Sequence, residues 1–111
     1  MDAGADSATG GDEESRYEAM RDRYWEVAGI EGVSLEAFVE SALSDDRSEA
    51  TLRRLRRLVD EVEETALLNI AVKAEEEGGM YEALADERIE EVREEHARLA
   101  ARLERAADGG R

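Results

Sequence analysis

The sequence predicts an all-α protein: a long antiparallel helical hairpin, coiled-coil-like, with two shorter N-terminal helices that make it four-helix-bundle-like. Three observations predict this. Apolar residues recur at spacings of three and four along most of the chain, the period of one helix face. The 111 residues include no proline, so nothing inside the chain must break a helix by losing an N–H. A double glycine, Gly78-Gly79, separates two long periodic segments of similar length, as in two antiparallel helices joined by a tight turn.

The elements follow in order. Residues 1–14 read MDAGADSATGGDEE, too polar to offset their ordering entropy, and are expected to be a disordered acidic tail. A single helical domain is expected over 15–107, with helices at about 15–28, 34–43, 47–77 and 80–107, and a second short tail at 108–111. In the first helix Tyr17, Met20, Tyr24 and Val27 share a face that Trp25 widens, and Gly29 is a natural stop. In the second, Ser34 is the expected N-cap, and Val33 with Phe38 has the spacing of a hydrophobic staple. Leu35, Phe38, Val39, Ala42 and Leu43 form its apolar face, and Ser44-Asp45-Asp46 ends it. At the third helix Asp46 with Glu49 has capping-box spacing, and Ser48 is the competing cap.

The hairpin seam is read from two sets of positions. Leu52, Leu55, Val59, Val62, Ala66 and Asn69 line the third helix. Ile89, Val92, His96, Leu99, Leu103 and Ala106 line the fourth, with Leu84 and Ala85 extending the face toward the turn. Folding at the glycines sets Leu52 near Ala106, Leu55 near Leu103, Val59 near Leu99 and Val62 near His96. Each arm is about 40 Å long at 1.5 Å per residue. Between Ala66 and Val72 the chain reads ALLNIAV, apolar on every side, and such a helix is expected to be buried on every side. A two-helix hairpin cannot do that alone. Either the first two helices fold along it, or a second copy closes over it, and a homodimer is the expectation. The interface residues so assigned are Leu55, Val59, Val62, Leu67, Leu68, Asn69, Ile70, Val72, Val92, His96 and Leu99. A buried seam asparagine fixes register or oligomer state; the alternative for Asn69 is that it faces solvent or a neighbouring backbone.

Charge narrows the function classes. Thirty acidic residues face fifteen basic ones, a net of −15, the wrong sign for an ordinary nucleic-acid binder. Lys73 is the only lysine among fourteen arginines. That pattern is expected of a halophilic organism, because at molar salt the Debye length falls to about 3 Å and such a surface repels itself little. The alternative is functional acidity, as a nucleic-acid mimic or a lure for a basic partner. Arg53, Arg54, Arg56 and Arg57 form the one basic cluster. Its expected role is to neutralise Glu94, Glu95 and Glu104 of the fourth helix; the alternative is contact with phosphate or an acidic partner. No cysteine occurs, so no disulfide or thiolate metal site is expected. No apolar run approaches the roughly 20 residues needed to span a bilayer. The polar acidic start carries no signal-peptide pattern, so the expected location is cytoplasmic.

The residues that could carry chemistry are few. His96 is the single histidine, readable as a metal ligand or general base, or as a polar seam residue fixing register. The segment from Ala71 to Leu103, with its Glu75-Glu76-Glu77 run, Tyr81 and REEHARLAARL, resembles half of a rubrerythrin-type protein. That resemblance implies a ferritin-like metal carboxylate bundle, in which facing helices supply glutamates and Glu-x-x-His pairs. The sequence departs from the pattern at Arg93, three residues before His96, where the family places glutamate. It also has no second histidine, although a symmetric dimer would supply one. No Walker motif, dinucleotide fingerprint or nucleophile elbow occurs. The glutamate runs read as solvated faces. Tyr17, Tyr24, Trp25 and Phe38 read as seats for the first two helices, or else as a hydrophobic docking patch.

The resulting expectation is a non-enzymatic helical protein–protein interaction or oligomerisation module, with no catalytic residue, metal ligand or cofactor assigned. Two alternatives come from other classes. One is a small dimeric transcriptional regulator using its N-terminal helices as a DNA-binding head. The other is a divergent ferritin-like metal carboxylate bundle.

Overall fold

The structure is a computed structural model that describes residues 12–109, with the first helix traced from Asp2. The protein is all-helical among the described residues: α1 (Asp2–Glu31), α2 (Leu35–Asp45), α3 (Glu49–Glu77) and α4 (Gly79–Gly109). The chain divides into two compact units, 1–46 and 47–111.

In the first unit α1 is longer at both ends than the sequence suggests. The tail expected over 1–14 lies outside the described residues as far as residue 11, but Asp12, Glu13 and Glu14 are helical. The Asp12 carboxylate pairs with Arg16 one turn on, at 3.0 Å, a local gain that composition does not register. The helix also runs through Gly29 to Glu31. A glycine inside a helix costs only about 1 kcal/mol, so it need not stop one. The residue that turns the chain is Gly32, at φ 69°, a value that favours glycine. α2 begins where expected: the Ser34 hydroxyl accepts from the Ala37 N–H at 3.1 Å, satisfying one of the N–H groups left over at a helix start. Tyr24 meets Phe38 edge-on, with centroids 5.4 Å apart, joining α1 to α2. Tyr17, Tyr24, Leu35, Val39 and Leu43 are buried, whereas Trp25 and Ile30 are exposed.

The second unit is the hairpin. Ser48 caps α3, accepting from the Thr51 N–H at 3.2 Å, so the serine and not Asp46 takes the N-cap. Asp46 instead closes α2, its N–H donating to the Ala42 carbonyl. One residue outside helix, Gly78, separates α3 from α4. Its φ of 58° with ψ of −153° is a combination open essentially only to glycine. Its N–H donates to Ala74 and its carbonyl accepts from Tyr81, so the same residue ends one helix and starts the next. α4 therefore begins at Gly79, and it extends to Gly109, taking in two residues of the expected tail; the remaining two lie outside the described residues.

α3 and α4 pack along each other, but burial is uneven. Leu55, Leu58 and Val59 on α3, and Leu99, Leu103 and Ala106 on α4, are buried. From Asp60 to Arg98 no residue is. Near its open end the hairpin is a packed core. Toward the bend it is two helices covering only the stripes they present to one another.

Candidate functional site

The ALLNIAV segment does not have the all-round burial its composition suggests. Leu68 is 63% exposed and Val72 41%. Asn69 and Ala71 are exposed, while Ala66, Leu67 and Ile70 are half-buried. The reason is geometric. A helix 3.6 residues per turn presents roughly one stripe to one neighbour, so an all-round apolar segment needs further layers. On α4 the facing stretch is equally open, with Met80 75%, Tyr81 48% and Leu84 40% exposed.

A cavity of about 200 Å³ lies between the helices near the bend, lined by Asn69, Ile70, Lys73, Tyr81 and Arg88. Leu68 and Val72, one turn apart, form a stripe on α3 centred about 120° around the helix from Asn69, Ile70 and Lys73, which line the cavity; on α4 Tyr81 is three residues from Leu84, and Leu84 one turn from Arg88. The Lys73 ammonium is 3.1 Å from Glu77 and 5.4 Å from the Tyr81 ring centroid. The Glu77 hydrogen bond, then the charges of Glu77 and Tyr81, hold it above the usual lysine pKa.

The eleven residues assigned to an interface separate into three sets. Leu55, Val59 and Leu99 are buried within the chain and serve the fold. Val62, Leu67, Ile70, Val92 and His96 are half-buried along the seam. Leu68, Asn69 and Val72 are open to a partner; Asn69 thus takes its solvent-facing alternative. Met80, Tyr81 and Leu84 on α4 are exposed as well, but their stretch lacks the regular seam that picks out α3.

His96 has a specific structural role. Its Nε2 lies 2.6 Å from the Asp60 carboxylate and 3.7 Å from Glu63. An ionised carboxylate only accepts, so Nε2 donates, tying α4 to α3. Burial works against the Asp60 carboxylate, but hydrogen bonds from His96 and Arg56, and their charges, outweigh it and hold its pKa below the ordinary value. Asp60 and His96 lie equally far on either side of Gly78, a symmetry visible in the sequence once the bend is placed. Among the described residues no three His, Asp or Glu side chains gather to hold a metal ion. Two arginines of the basic cluster pair along their own helix and not across the hairpin: Arg53 with Glu49 at 2.6 Å and Arg56 with Asp60 at 3.2 Å. Spacings of four on one helix bring such partners together without any tertiary constraint. Among the described residues no helix is long and apolar enough to cross a membrane.

No family model, curated protein or solved structure matches this chain.

Proposed function

We propose that the protein is a non-enzymatic helical interaction module whose hairpin presents the apolar surface at its bend to another protein chain. The observation that carries this is the contrast along one hairpin: a closed core at Leu55, Leu58 and Val59, and an open surface at Leu68, Val72, Met80, Tyr81 and Leu84. Monomeric proteins rarely leave large contiguous apolar patches in water, and those they do leave are often functional. A closed core makes the hairpin rigid enough to offer its far end as a preformed surface, which lowers the entropy lost on binding.

A second copy of the chain is the occupant the ALLNIAV pattern suggests. Two hairpins pairing bend to bend would give each the missing layer, as in a dimeric four-helix bundle. Such pairing sets like charges together and therefore needs the screening that high salt supplies. The test is mass by light scattering across salt concentrations, for the wild type and for Leu68→Ser with Val72→Ser. A dimer that the two serines dissolve supports self-association. A monomer at every salt and concentration removes it.

A further inference from the structure

Charge is not spread evenly along the hairpin. From Asp60 to Glu95, the half that holds the bend, fourteen acidic residues stand against three cations, a net of −11. The other half, 47–59 with 96–109 and His96 neutral, has eight arginines against three acids, a net of +5. Uniform salt adaptation does not account for that segregation. The exposed large apolar residues of the hairpin, Leu68, Val72, Met80, Tyr81 and Leu84, all lie in its acidic half. Glu61, Glu64, Glu75 and Glu76 surround Leu68 and Val72 on α3, and Glu87 and Glu91 follow Leu84 on α4, all of them half-buried or exposed.

We propose that the surface at the bend binds a cationic amphipathic helix from a different protein. This rests on the docking role argued above and names the partner's chemistry. An apolar strip framed by carboxylates is matched by a helix with an apolar face bordered by lysine or arginine. No part of a second copy offers that combination. Its bend carries the same −11. Its cationic half keeps Leu55, Leu58, Val59, Leu99 and Leu103 buried, so it has charge without an apolar face. Its first unit exposes Trp25 and Ile30 but has thirteen acids against three arginines over residues 1–46. Each region lacks the charge or the apolar surface, and below molar salt a foreign cationic helix is the better occupant.

The experiment uses the full chain and three short model peptides: a leucine–lysine amphipathic helix, the same design with glutamate for lysine, and a scrambled leucine–lysine peptide without amphipathic period. Binding is measured by titration at low and molar salt, with light scattering alongside and helical circular dichroism to check the variants. The expected result is that the leucine–lysine helix binds and its glutamate counterpart does not. Leu68→Ser with Val72→Ser should weaken binding by about tenfold or more, the loss of most of two partly buried aliphatic contacts. Molar salt should weaken it further by screening. If the scrambled peptide or the serine variant binds as tightly as the matched pair, the attraction is bulk charge and the proposal is overturned. If the chain self-associates through Leu68 and Val72 while the cationic helix neither binds nor competes, the surface docks proteins but the partner's chemistry is wrong. A chain that stays monomeric and binds no peptide overturns both.

Discussion

Leucine occurs on α3 at two positions that the structure treats in opposite ways, and replacing each by alanine measures the difference. Leu55 is 0% exposed and Leu68 is 63% exposed. Leu→Ala removes the equivalent of about three methylenes, worth roughly 2.4 kcal/mol at 0.8 kcal/mol each when fully buried. At Leu55, buried like Leu58, Val59, Leu99 and Leu103, a close-packed core relaxes only in part, so a cavity term adds to this and the total falls at about 3–4 kcal/mol. At Leu68 only about a third of the side chain is withdrawn from water, so the transfer loss is roughly 0.9 kcal/mol. Alanine's better helix propensity returns a few tenths of that. The assay is urea unfolding followed by far-ultraviolet circular dichroism at low protein concentration, where self-association is suppressed. Leu55→Ala should lower the midpoint several times more than Leu68→Ala. Equal losses would refute the division of the hairpin into a closed half and an open half. So would a loss above about 2 kcal/mol at Leu68 in a chain shown to be monomeric, well beyond what an exposed leucine can supply. A Leu68→Ala loss that grows with protein concentration would instead reveal a second copy seated on that surface.

Three further outcomes follow from local geometry. Because the Asp60 pKa is held below its ordinary value, its stabilisation is present above the unfolded carboxylate pKa and fades as pH falls through the lower folded one. Asp60→Asn should therefore lose less than about 1 kcal/mol at neutral pH, its side chain being half exposed and such pairs weak, and the gap to wild type should close in urea melts run at strongly acidic pH. Ser48→Ala should cost about 1 kcal/mol by leaving the Thr51 N–H without its cap, whereas Asp46→Ala should leave the start of α3 unchanged; thermal melts of both variants distinguish the cap. Gly78→Ala should cost about 1–3 kcal/mol through backbone strain alone, since a Cβ there would touch nothing, while Gly79→Asn, at φ 52°, should cost visibly less because asparagine tolerates the left-handed region; denaturant midpoints rank the two.

What the sequence by itself determined is what depends on neighbours along the chain. Helical content, the Ser34 cap, the bend at Gly78 and the seam positions Leu55, Val59, Leu99 and Leu103 all follow from spacing and local hydrogen bonding, which act within a turn or two. Helix ends were less legible. Gly29 looks like a stop, and only the left-handed backbone of Gly32 shows where α1 ends. The burial of ALLNIAV could not be read from composition, because periodicity reports which faces are apolar and not how many layers exist to cover them. Tertiary structure alone decided that Leu58 is enclosed while Leu68, ten residues on along the same helix, meets water. It also gathered Lys73, Tyr81 and Arg88 around one cavity. Those arrangements depend on residues far apart in sequence meeting across the bend, and no local rule encodes the distance between them.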